Sequence, residues 1–162
     1  MKTLLILFHL FISHPDKEVL IYRDLLSRSE SNEETARFYF NKSRSIENGD
    51  QAILRGYKAM ASIMMCKHIK NPFNKISYFS EGKTELDKAI ASDPKNPELI
   101  FLRFATQCNT PKFLGYNNQI TSDKIFLLEY LINKNSFGDL YLRNKILNFM
   151  LQYKYLNTSN IN

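Results

Sequence analysis

The run from Phe79 to Phe104, FSEGKTELDKAIASDPKNPELIFLRF, constrains this chain more than any other segment, because it writes a helix, a stop, a cap and a second helix without a break. Phe79, Gly82, Leu86, Ala89 and Ile90 recur at helical spacing on one side, while Glu81, Lys83, Glu85, Asp87 and Lys88 fall mostly on the other. Ser92-Asp93-Pro94 ends that helix at about Ala91, since proline has no N–H and disfavours helical geometry in the residue before it. Asn96 then offers an N-cap, Pro97 a preset first helical φ, and Glu98 a carboxylate beside the positive end of the dipole, so the next helix runs from Pro97 to about Gln107. Two helices meet at a tight corner, and the fold must accommodate it.

The rest of the chain reads in the same way. Asp16 caps a helix to about Ser29, with Val19, Leu20, Ile21, Leu25 and Leu26 on a wide apolar face and Arg23 and Arg28 outside it. Ser31 or Asn32 caps a second helix carrying Ala36, Phe38, Tyr39, Phe40 and Ile46, closed by Asn48-Gly49. Asp50 opens a third, from Ala52 to about His68, through Ile53, Leu54, Tyr57, Met60, Ala61, Met64 and Met65. Residues 71–75 read as a loop around Pro72, with the fourth helix starting at Ile76 or Ser77. After a long loop from Cys108 to Ile120, Thr121 or Ser122 caps a sixth helix through Ile125, Leu128, Leu131 and Ile132. Asn135 or Ser136 caps a seventh through Leu140, Ile146, Leu147, Met150 and Tyr153. The expectation is an all-α fold, an antiparallel α-hairpin array of about seven helices over residues 15–156, followed by a polar tail at 157–162.

Composition supports this class. Only five glycines and five prolines occur in 162 residues, few for a sandwich or barrel of many short strands. The length suits one domain with a sizeable core and needs no metal or disulfide to hold it. The formal charge is +6, from 22 Lys plus Arg against 16 Asp plus Glu, but the lysines are spread along the chain. No arginine-rich stripe with exposed aromatics forms, so nucleic-acid binding is not expected. Lys67, His68, Lys70 and Lys75 make the densest basic cluster.

Met1-Lys2 followed by the apolar run from Thr3 to Ser13 has the charge order and core length of a secretory signal, and it is too short to span a bilayer. Residues 1–14 are therefore expected to direct export to a cell envelope, the alternatives being a buried N-terminal helix in a cytoplasmic protein or an uncleaved anchor. No integral span is expected.

Gly82-x3-Leu86-x2-Ala89-x4-Pro94 resembles the second half of a tetratricopeptide repeat, and Leu54-x-Gly56-Tyr57 resembles the first. The spacing has a physical basis: small residues let the helices of a hairpin approach, the large one fills the groove between them, and proline ends the helix at the turn. The chain is also similar to small exported bacterial proteins that pair a short signal with such helices and a Phe-Leu-Gly-Tyr loop. The resemblance implies a tetratricopeptide-like α/α superhelix that binds a protein or peptide; it implies no catalytic residue.

The residues themselves carry little reactive chemistry. His9, His14 and His68 share no metal-ligand spacing, and His68 suits the free carbonyls of a helix end. Cys66 and Cys108 lack a CxxC partner and read as two thiols beside apolar positions, or as a disulfide in an oxidising compartment. No phosphate loop, nucleophile elbow or dinucleotide fingerprint is present, so neither an enzyme nor a cofactor is expected. Arg103, between Leu102 and Phe104, is a candidate anchor for a ligand carboxylate unless Glu98, Glu85 or Glu129 pairs with it. Phe113, Leu114 and Tyr116 around Gly115 form an apolar anchor if exposed and a packed turn if not. Lys67 and Lys70 complete the candidate binding residues. The expected function is a protein-binding or scaffold module of the bacterial envelope; the alternative is a small-ligand or lipid-surface binder.

Overall fold

The structure, a computed structural model, describes residues 16–133 and 139–155. The expected signal segment, the Asn135 and Ser136 caps and the polar tail lie outside the described residues. Seven α-helices account for most of the rest: α1 (Lys17–Ser29), α2 (Glu33–Ser43), α3 (Ala52–His68), α4 (Pro72–Ser92), α5 (Pro97–Asn109), α6 (Ile120–Ile132) and α7 (Leu140–Gln152). A single 3-10 turn, Lys112–Leu114, interrupts the α5–α6 connection, and no described residue is in a strand. The protein is all-α.

Short polar side chains set most of the starts. Asp16, Asn32, Asn71, Asn96 and Asp139 each accept hydrogen bonds from free backbone N–H groups in the first turn of their helix. At α4 this overturns the expected 71–75 loop. Asn71 accepts from Phe73 and Asn74, and Pro72 occupies the first helical position, where a missing N–H costs nothing. The helix therefore begins about a turn earlier than expected. Helix α6 begins at Ile120 without a side-chain cap, ahead of the expected Thr121 or Ser122.

The helices pack in a regular order. Sequential neighbours contact throughout, α3 with α4 most extensively, and in addition α1 meets α3, α3 meets α5 and α5 meets α7. The even-numbered helices make no backbone approach to one another. The result is a row of hairpins with α1, α3, α5 and α7 side by side. At the α3–α4 interface Gly82 is indispensable to the spacing, because a Cβ there would sit 2.6 Å from Ile63 Cγ1 and 2.7 Å from the Ala59 carbonyl oxygen.

The core runs the length of this row. Tyr22, Tyr39 and Tyr57 fill one end, with the Tyr39 hydroxyl donating to the Tyr57 carbonyl at 2.6 Å; Leu86, Leu99 and Phe104 fill the centre; Leu127, Ile146 and Met150 fill the other end. Met60, Met64 and Met65 are all buried. On α1 the buried face differs from the expected stripe. Tyr22 and Arg23 are buried whereas Leu20 and Ile21 are about half exposed, because α1 packs on α2 and α3, where Tyr22 meets Tyr39 and Tyr57, and because Arg23 is taken up by Glu98 and Asp139.

Candidate functional site

The row of odd-numbered helices encloses a half-open groove of about 960 Å³. Its walls are largely apolar: Leu26 from α1, Met60 and Met64 from α3, Phe101 and Leu102 from α5, and Phe149 from α7. The first turns of α4 and the 3-10 turn form one lip, with Ile76 and Phe113 at its edge. The volume falls at the upper end of the ordinary range for ligand sites.

One polar cluster interrupts the apolar lining. Arg23 of α1 donates from Nε and Nη2 to the two carboxylate oxygens of Glu98 on α5, both at 2.7 Å, and also reaches Asp139 at the start of α7. The Tyr57 hydroxyl donates to Glu98 Oε1 at 2.6 Å, and the Tyr141 ring lies 4.9 Å from the Arg23 guanidinium carbon. Four helices are thus fastened at one point. Burial works against the Arg23 charge, but the hydrogen bonds it donates to Glu98 and Asp139 outweigh it and hold the guanidinium charged. Burial, then the adjacent Glu98 carboxylate, push the Tyr57 hydroxyl far above its ordinary range, so it serves as a donor only. With every group engaged, the cluster is a fastening and offers no free base.

Lysines stand along the rim. Lys67 pairs with Glu30 at 2.8 Å, whereas Lys75 and Lys145 pair with no carboxylate among the described residues. The rim therefore carries a net positive charge above an apolar floor.

The structure divides the residues that the sequence singled out. Arg103 lies outside the groove lining and makes a two-pronged pair with Asp123, at 2.8 Å from Nε and 2.7 Å from Nη2; Asp123 is buried. It holds α5 to α6, through a partner other than the expected Glu98, Glu85 or Glu129. Tyr116 is only 3% exposed: its ring meets Phe79 edge-on at 5.9 Å and its hydroxyl donates to Asp87 at 3.0 Å. Leu114 is half-buried, and Phe113, at 86% exposure, is left in solvent. The loop is therefore packed at one end and presented at the other. Gly115, at φ +64°, makes the bend between them. Lys67 lines the groove and Lys70 does not.

The two thiols are free, Cys66 and Cys108 each being half-buried. Cys66 lines the groove and donates to the Lys75 carbonyl at 3.3 Å; burial pushes its thiol up to about 11. The His68 ring contacts the Ser29 carbonyl at 2.7 Å, so it serves the end of α1 rather than the end of its own helix. Among the described residues no group of three His, Cys, Asp or Glu side chains is placed to hold a metal ion, and no helix is long and apolar enough to cross a membrane.

Sequence reasoning missed Arg23 and Glu98 as partners, because a single arginine on one helix and a single glutamate in the first turn of another, 75 residues away, share no local pattern. It also offered Arg103 as the anchor for a ligand carboxylate, and Arg103 lies outside the groove. Comparison of the chain with protein families, curated proteins and solved structures finds no match.

Proposed function

We propose that this protein is a non-catalytic, tetratricopeptide-like binding module of the bacterial cell envelope that holds a segment of a partner protein in the groove of α1, α3, α5 and α7. One observation carries the reading: every odd-numbered helix contributes to a single apolar groove. An apolar floor 960 Å³ in volume, with methionines that adapt to irregular side chains, suits the apolar face of a short amphipathic helix. The small residues Gly82 and Ala89 at the α3–α4 interface support the family likeness, and the Met1-Lys2 leader with its apolar run supports export.

Selection of helical peptides against the full chain tests the groove. Enriched peptides are expected to carry apolar residues at i, i+3 or i+4 and i+7 and to lose binding when Ala105, which lines the groove, is replaced by Trp. Peptides that bind the Ala105→Trp protein equally well would place their site elsewhere. An intact Met1 in protein recovered from the cytoplasm would remove the envelope assignment. The volume and apolar lining also favour a second reading, a long-chain amphiphile whose anionic head meets Lys75 or Lys145. Calorimetry with a long-chain carboxylate distinguishes it.

A further inference from the structure

The first turns of α4 form an outer edge of the fold, held to α3 where the Cys66 thiol meets the Lys75 carbonyl. Residues 71–77 are all exposed, and Phe73 and Ile76, three apart and so on neighbouring positions of one face, are 80% and 57% exposed. Beside them the 3-10 turn presents Phe113, which borders the same groove mouth as Ile76. Ile76 and Phe113 thus share the groove mouth, Phe73 stands one turn before Ile76, and exposed large apolar side chains so placed mark a contact surface.

A lysine accompanies each part of this tip. Lys75 precedes Ile76 and Lys112 precedes Phe113, and neither pairs with a carboxylate among the described residues. Of the lysines at the end of α3, Lys67 is paired and Lys70 makes no ion pair among the described residues. Lys67 pairs with Glu30, while the nearby Glu33 is taken by Arg37. Unpaired positive charge therefore flanks the exposed apolar side chains, on Lys75 and Lys112 with Lys70 close by in the chain.

We propose that Phe73, Ile76 and Phe113, with Lys75 and Lys112, form a docking site for an anionic lipid surface. Separate projecting tips suit a bilayer interface, where apolar groups enter at headgroup level and ammonium groups meet lipid phosphates. A protein hot spot instead sits in a packed, water-excluding surround, which these side chains lack. The contact is peripheral and leaves the helices outside the bilayer. It holds whatever the groove carries.

The chain contains no tryptophan, so single Phe73→Trp and Phe113→Trp variants report on these two positions alone and separate the tip from the apolar run at residues 3–13. With vesicles containing phosphatidylglycerol, both reporters are expected to shift to the blue and to be quenched by brominated acyl chains; with phosphatidylcholine alone neither should change. Adding Lys75→Glu and Lys112→Glu to the Phe113→Trp chain should reduce partitioning roughly tenfold or more at 0.1 M salt. These positions are exposed, and unchanged thermal unfolding of each variant verifies the fold. Water-like emission at both positions on anionic vesicles overturns the proposal, as does a response that is equal on both lipids or indifferent to the two lysines. A photocrosslinker at position 113 that captures protein rather than lipid in total membranes assigns the tip to a protein contact and overturns it equally.

Discussion

Arg23 and Glu98, 75 residues apart in the chain, form a buried two-pronged ion pair that joins α1 to α5, and Arg23 extends the link to Asp139 at the start of α7. Removing one member of such a pair leaves the other charge buried without its partner. Arg23→Met is expected to cost about 3–5 kcal/mol, read as a shift in the urea midpoint at constant slope. Glu98→Gln in the Arg23→Met background should restore part of the loss, since it removes the stranded charge. A double-mutant cycle measures the coupling, and additive effects would show that the pair does not fasten the helices.

The close approach of α3 and α4 makes Gly82 sensitive to a single methyl group. Gly82→Ala gains helix propensity, about 1 kcal/mol, but its Cβ meets the Ala59 carbonyl oxygen, a backbone atom that moves only with its helix. Overpacking of this kind costs about 1–3 kcal/mol, so net destabilisation is expected. At Gly49 an added methyl group would meet nothing within 4 Å, and Gly49→Ala should be close to neutral. Thermal unfolding of the two variants compares them directly; equal melting temperatures would contradict the packing argument.

Local signals therefore located helices well and long-range partners poorly. Asn32, Asn96 and Pro97 mark their helix starts because a cap acts within one turn. The same chemistry operates at Asn71-Pro72, but a proline read as a breaker conceals that it is also a favoured first helical residue. The exposed Leu20 and Ile21 beside buried Tyr22 and Arg23 show the other limit. The face of α1 is chosen by α2 and α3, which pack on it, and by the distant carboxylates of Glu98 and Asp139, which take up Arg23. The groove was legible only as the expectation that a hairpin array binds a protein or peptide. Its lining depends on which helices adjoin, and Arg103 was drawn away from it by Asp123 on α6.

Cys66 provides a pH-dependent readout of the groove wall. Burial raises its thiol to about 11, against about 8.5 for a free cysteine, so the folded chain holds this proton where the unfolded chain releases it. The associated stability is fully present below about pH 8.5 and declines as pH rises toward 11. At pH 8 alkylation of Cys66 in the folded protein is expected to be on the order of a hundredfold slower than in urea. Mass-spectrometric timing at this residue checks it, and equal rates would mean an open, solvated thiol.

Tyr116 decides whether the loop that carries Phe113 keeps its place. Its ring stacks edge-on against Phe79, Lys83 Nζ lies 5.1 Å from the ring centre, and its hydroxyl is bound by Asp87. Burial first, and the Asp87 carboxylate next, raise the hydroxyl well above its ordinary range, so the donor persists throughout neutral and mildly alkaline pH. Tyr116→Phe removes only the hydrogen bond and should cost about 1 kcal/mol or slightly more, because it leaves the ring in place. Tyr116→Ala removes the anchor itself and is expected to cost about 3–5 kcal/mol, the usual range for truncating a large buried aromatic side chain. Proteolysis at Lys112 distinguishes loss of the anchor from global loosening. Trypsin should cleave there several times faster in Tyr116→Ala than in Gly82→Ala of matched stability, whereas equal rates would show that the loop is held by other contacts.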